Sequence, residues 1–191
     1  MPNPVTVLGI AGSLRKQSYN KGALRAAQAL LPSGVQLEIF DLAGIPVYNQ
    51  DEEKSPPPRV AELKSRVRAA GAILLCTPEY NYSIPGVLKN AIDWASRPYG
   101  DNAWNGKPAA IMSAAMSMGG GVRAQYQLRQ SFVFLNVDAV LQPEVAIGNG
   151  GERFDEQGNL KDETSKKLIG QLLKALVEKV KLLKPAMKAA A

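Results

Sequence analysis

The chain has 191 residues, 46% hydrophobic and 21% charged, a composition and length that suit one globular domain with a full core. It has no histidine and one cysteine. That excludes imidazole relays, histidine-ligated metals, disulfide frameworks, four-thiolate zinc sites and single-chain iron–sulfur clusters, so any redox chemistry needs an organic cofactor.

Residues 6–10 (TVLGI) are a short apolar, β-branched run and read as a buried strand. A loop rich in Gly, Ser and Arg follows, over residues 11–20. Residues 21–31 have helical spacing, with Ala23, Leu24, Ala27, Leu30 and Leu31 on one side, and Pro32-Ser33-Gly34 stops that helix. Residues 35–40 alternate as a strand with one polar side. Pro56-Pro57-Pro58 then suits the start of a helix over residues 59–70. Residues 72–76 (AILLC) are a second continuously apolar strand. A loop with two prolines, residues 77–86, leads to a helix over 87–96. Residues 109–115 read as a third buried strand, followed by a Gly-rich turn and a helix to about residue 135. Residues 139–145 read as the last strand. Residues 164–183 carry an apolar stripe, Leu168, Ile169, Leu172, Leu173, Leu176, Val180 and Leu183, at a clear 3.6-residue period.

Five strand–helix units without internal repeats or a long linker predict one α/β domain over residues 1–191. Apolar strands alternating with helices imply a parallel sheet covered on both faces. The expected architecture is a three-layer, flavodoxin-like doubly wound sheet of five strands in order 2-1-3-4-5, whose ligands bind beyond the carboxyl ends of the first and third strands. The two loops at that position are also the most unusual in the chain.

The first loop, residues 9–20, offers backbone N–H groups at a helix start, with Ser13, Ser18 and Asn20 as neutral donors and Arg15 as a bidentate charged one. That set suits a terminal phosphate. The dinucleotide pattern G-x-G-x-x-G and the Walker pattern are both absent, which favours a mononucleotide. The second loop, Thr77 to Gly86, places Tyr80, Asn81 and Tyr82 between two prolines, a pre-ordered aromatic and amide surface for a flat heteroaromatic ring.

Gly12-Ser13-Leu14-Arg15 with Ser18 and Asn20, then Pro78 to Ser83, Pro85-Gly86 and Leu88 to Trp94, closely resemble the NAD(P)H-dependent FMN reductase family, in its bacterial quinone and chromate reductase branch. The resemblance runs from the first strand through at least Glu144 and includes Tyr126 to Gln130. It implies a non-covalently bound FMN, with NADH or NADPH passing hydride from the nicotinamide C4 to flavin N5, and no catalytic side chain. Ser13, Arg15, Ser18, Tyr19 and Asn20 match the phosphate loop. Pro78, Glu79, Tyr80, Asn81, Tyr82 and Ser83 match the ring loop, its backbone N–H groups facing the flavin. The family's third contact aligns near Ala115, flanked by Ser113 and Ser117, so that either a backbone group or a neighbouring Ser makes it. Met118 to Gly121 would let the backbone approach the ring.

Lys16, Arg97, Arg123, Tyr126, Arg129 and Glu144 are read as substrate or interface residues. Glu79 and Asp93 are read as hydrogen-bonding or helix-side carboxylates, and Cys76 as packing in a strand. The family implies a homodimer or homotetramer that reduces quinone, chromate or similar acceptors, with azo or nitro compounds as further oxidants, in a ping-pong sequence. The alternative from another class is a flavodoxin-like electron carrier without its own NAD(P)H reaction. Carriers of that kind tend to be acidic, whereas residues 1–37 hold Arg15, Lys16, Lys21 and Arg25 and no acid. A net charge of +6 raises nucleic acid as a partner, but no aromatic-basic interleaving or recognition helix supports it. The remaining basic block, eight Lys against three acids over residues 161–191, reads as a solvated helix face. The apolar N-terminal run is too short, and lacks the preceding basic residues, for a signal peptide. No run reaches the length of a membrane span, and the single Cys76 fits a reducing compartment, so the expected location is the cytoplasm.

Overall fold

A computed structural model describes residues 4–189, with side chains over 4–183. The elements are β1 (Val5–Ala11), α1 (Tyr19–Ala29), β2 (Val35–Phe40), a single 3-10 turn (Gln50–Glu52), α2 (Pro58–Ala69), β3 (Ala72–Thr77), α3 (Gly86–Ala95), β4 (Pro108–Ala114), α4 (Val122–Leu135), β5 (Asp138–Ala139), β6 (Val145–Ile147), α5 (Gly150–Arg153) and α6 (Glu163–Ala189). The sheet is parallel throughout and runs β2-β1-β3-β4-β5, the expected doubly wound order, with β6 also paired to β4.

Successive residues of a strand face opposite sides, so a strand buried on both faces must be apolar at every position. β3 shows the consequence. Leu74 and Cys76 pack with Leu24 and Ala27 of α1 and with Ile169, Leu172 and Leu176 of α6. Ile73 and Leu75 pack with Leu63 and Val67 of α2, Leu88 and Ile92 of α3, and Leu128 and Phe132 of α4. The three layers are therefore α1 and α6, the sheet, and α2, α3 and α4.

The expected last strand, residues 139–145, is corrected to two short strands. Asp138 and Ala139 pair with the start of β4, and Val145 to Ile147 pair with its end. Leu141 lies 72% exposed between them, and Pro143 has no N–H to give to a ladder. Gln142-Pro143-Glu144 marks the interruption in the sequence, and a strand read through it rests on the apolar residues on either side alone.

α6 begins at a built cap. Asp162 accepts hydrogen bonds from the Ser165 N–H at 2.7 Å and from the Arg153 guanidinium at 3.2 Å. Bonds from the Ser165 side chain and backbone, and the nearby Arg153 charge, hold the Asp162 carboxyl below its ordinary value. A carboxyl lowered on folding stabilises the fold above its ordinary pKa, and that contribution disappears as pH falls through the lowered folded value. Asp162→Ala should cost about 1 kcal/mol, a Tm drop of about 2–4 °C. Thermal unfolding across a pH series should show the gap between the two chains closing in acid.

Candidate active site

At the carboxyl edge of the sheet, the loops after β1, β3 and β4 enclose a cavity of about 340 Å³. That lies in the range of small-molecule sites, about 300–1,000 Å³.

The β1 loop forms one end of the cavity with Ser13, Arg15, Ser18, Tyr19 and Asn20. Ser18 caps α1, its side chain facing the Lys21 N–H at 3.5 Å and its carbonyl accepting from Gly22 at 2.9 Å. The Tyr19 and Asn20 N–H groups open the helix and have no helical acceptor among the described residues, which leaves donors and a positive dipole end for an anion. Arg15 is exposed, and its guanidinium lies 5.2 Å from the centre of the Tyr19 ring. The other support of Tyr19 is Phe154, stacked at 4.7 Å.

Asn20 lines the cavity, but its amide is turned inward. Its Nδ2 donates to the Ala114 carbonyl at 2.8 Å, and its Oδ1 accepts from the Ala114 N–H at 2.9 Å and the Cys76 thiol at 3.2 Å. One side chain thus ties α1 to β3 and β4 beneath the site. Burial pushes the Cys76 thiol well up, so it stays protonated and unreactive, as its place in a strand suggested.

The β3 loop supplies Pro78, Glu79 and Tyr80. Tyr80 and Ser83 exchange both backbone bonds at 3.0 Å, around central residues Asn81 and Tyr82 at φ 51° and 64°. Both central φ values are positive, the pattern of a type I′ turn. A tyrosine there is uncommon and is held by its surroundings. The Arg123 guanidinium stacks on the Tyr82 ring at 4.2 Å, and Glu79 accepts from the Arg123 and Ala124 N–H groups at 3.0 and 3.2 Å. Glu79 therefore anchors the loop to the first turn of α4, the helix-side role its position suggested. Asp93 pairs with Lys89 at 2.8 Å on α3.

The β4 loop contributes Ala114, Ala115 and Met116. The Ala115 N–H donates to Ile147 and its carbonyl accepts from Gly150, both at 3.0 Å. Ser113 is buried and bonded to Gly120 and Gln125. Ser117 is exposed and lies off the cavity wall. Of the glycines expected to meet a ring, Gly119 faces open space, whereas Gly120 and Gly121 pack against neighbouring chain. A Cβ on Gly120 would lie 2.6 Å from Ala146, and one on Gly121 3.0 Å from Ser113. Met116, which sequence reasoning passed over, lies on the cavity wall, 66% exposed. Nothing in its spacing marks it; the turn after β4 alone places it at the cavity wall.

Asn81, Tyr82 and Ser83 form the loop's outer turn and do not line the cavity, nor does the exposed Lys16. The second polar set divides. Tyr126 donates to Glu144 at 3.4 Å, Arg129 bonds the Val140 carbonyl at 3.1 Å, and Arg123 joins the β3 loop. Arg97 stacks on Tyr99 at 4.0 Å past the end of α3, so the length of that helix, about 15 Å, separates it from the cavity.

A doubly wound sheet with an open helix start facing an aromatic loop across a cavity defines a flavodoxin-like fold. Residues 5–152 match the family model described as NADPH-dependent FMN reductase. An NAD(P)H-dependent FMN reductase of Pseudomonas aeruginosa is 50% identical over 92% of this chain and 95% of its own. A quinone reductase of Pseudomonas putida is 43% identical over 86% and 89%. The flavoenzyme FerB of Paracoccus denitrificans, an NAD(P)H:(acceptor) oxidoreductase, superposes with a TM-score of 0.84 at 35% identity, covering 92% of this chain and 97% of that one. The chain belongs to the NADPH-dependent FMN reductase family, and it is an oxidoreductase of the NAD(P)H-dependent FMN and quinone reductase type.

Asn20→Ala should strand the buried Ala114 N–H and carbonyl and cost about 2–4 kcal/mol. Denaturant midpoints should show that loss, while the exposed Lys16→Ala stays within about 0.5 kcal/mol of the parent.

Proposed function

We propose that the cavity between the β1, β3 and β4 loops holds one FMN and that the chain uses it to pass electrons from NADH or NADPH to quinones, chromate and similar small acceptors. The observation that carries this is the joining, in one cavity, of an anion-binding helix start to the Pro78–Tyr80 wall. The residues present fit the group. Arg15, Ser13, Ser18 and the Tyr19 and Asn20 N–H groups suit its phosphate, and Pro78, Tyr80, Ala115 and Met116 suit a flat ring. Bound FMN supplies hydride acceptance and donation at N5.

The chain's own part is positioning. Arg15 neutralises the phosphate end and, with Lys16, draws anionic nicotinamide phosphates and oxyanions toward the mouth. Pro78 and the turn beyond it hold the ring wall rigid, because Glu79 anchors them to α4. Tyr80 at 53% and Met116 at 66% exposure leave one accessible face. Nicotinamide and acceptor must take turns there, which gives a ping-pong order. Glu79 moves no proton in this account, since its carboxylate is committed to the Arg123 and Ala124 N–H groups and to the Arg123 guanidinium.

We further propose a homodimer or homotetramer, because Tyr126, Phe134 and Leu141 stay exposed on and beside α4. The cytoplasm is proposed as its location, on the single buried thiol. Light scattering should give two or four chains per particle. Arg15→Ala should weaken FMN binding by about 1.5–3 kcal/mol if its guanidinium bonds the phosphate. Fluorescence titration of the flavin-free chain measures it, and unchanged affinity would remove Arg15 from that role.

A further inference from the structure

Beside the proposed flavin cavity lies a larger one of about 570 Å³. Arg15 and Tyr19 line both cavities. The rest of the second comes from Gln17, Gly151, Phe154 and the segment 155–158, with Lys161. Its floor is built by the chain. Phe154 is buried and pairs with Leu160 across a tight hairpin, and a Cβ on Gly22 would strike the Gly158 carbonyl at 1.9 Å, so α1 and the hairpin are in close contact. Met116, on the wall of the first cavity, reaches to within 3.3 Å of a Cβ placed on Gly151 in the second. The two spaces therefore adjoin along Arg15 and Tyr19, and again where Met116 approaches Gly151.

The polar groups of the groove are of three kinds. Arg15 and Lys161 are exposed cations without a carboxylate partner among the described residues, and either can bind phosphate. Gln17 and Gln157 add exposed amides. Of the two acids, Asp155 is committed to its own hairpin, accepting from the Asn159 N–H at 2.7 Å and its amide at 3.1 Å. Glu156 is exposed with no bonding partner among the described residues, which suits a ribose diol and opposes a phosphate at the same place. Phe154 covers one face of the Tyr19 ring and the Arg15 guanidinium lies over it at 5.2 Å, so the outer plane of Arg15 is the surface left for a second heteroaromatic ring.

Resting on the flavin reading of the first cavity, we infer that this groove is an adenylate subsite: it takes the AMP half of a dinucleotide whose other half reaches the flavin cavity. Lys161 meets the phosphates that lie beyond the flavin's own, Glu156 the ribose hydroxyls, and the outer plane of Arg15 the adenine. The adenylate has two possible sources, the nicotinamide co-substrate or an FAD taken in place of FMN.

Two titrations of the full chain separate the sources. Calorimetry with ADP-ribose on FMN-loaded protein tests the co-substrate. Fluorescence titration of flavin-free protein with FAD against FMN tests the cofactor. The inference expects ADP-ribose to bind the loaded chain, or FAD to bind within about tenfold of FMN. In either case the exposed change Lys161→Glu should weaken that binding about tenfold or more, the loss of one charged hydrogen bond, with FMN affinity unchanged. Absence of ADP-ribose binding together with FAD more than about a hundredfold weaker than FMN overturns it, as does indifference of both ligands to Lys161→Glu. If FMN itself fails to bind, the flavin reading falls and this inference with it.

Discussion

The site exists because the chain leaves neighbouring strands toward opposite faces of the sheet. β1 and β3 are adjacent and parallel, but α1 packs on the face of α6 whereas α3 packs on the face of α2 and α4. The two loops must diverge, and the crevice between them cannot be closed by backbone. They begin in contact: a Cβ on Gly12 would lie 3.2–3.3 Å from Leu88, Pro78 and Thr77, and the Gly12 N–H bonds the Cys76 carbonyl at 2.9 Å. From that shared root one loop carries a helix start and a phosphate-type donor set, and the other an aromatic turn.

Much of this was legible in the chain. Continuous apolar runs such as residues 72–76 signal strands covered on both faces, and their alternation with helical spacing fixes the sheet order to a few choices. The crowding of Ser and Arg into one βα loop, and of Tyr and Asn between two prolines in another, fell on two of the three loops that border the cavity, although Asn81 and Tyr82 themselves lie off its wall. Hydrogen-bond partners over long sequence separation were not legible. Asn20 reads as a phosphate donor, yet its amide is spent on Ala114, 94 residues away. The break between β5 and β6 carried a signal, Gln142-Pro143-Glu144, that the flanking apolar residues outweighed: hydrophobic pattern records burial, and strand pairing depends on backbone that the pattern does not report. Met116 shows the same limit, since only the turn that carries it places it on the cavity wall.

The absence of histidine now has a positive sense. A protein that holds a flavin needs donors, a rigid wall and an open face, and the residues here supply those without an imidazole. The charges divide by role as well. Arg15 lines the cavity at the start of α1, Arg123 supports the Tyr82 turn, and Lys179 pairs with Asp138 at the sheet edge at 2.5 Å.

The central claim is that a flavin phosphate sits at the start of α1 beside Arg15. Phosphorus NMR of FMN added to the flavin-free chain tests it most directly. A phosphate monoester in water loses its second proton, to become a dianion, near pH 6. Held by a helix start and a guanidinium, one equivalent of FMN should give a shifted resonance that stays dianionic well below that pH. A resonance that titrates as free FMN does, at any ratio of flavin to protein, would contradict the account.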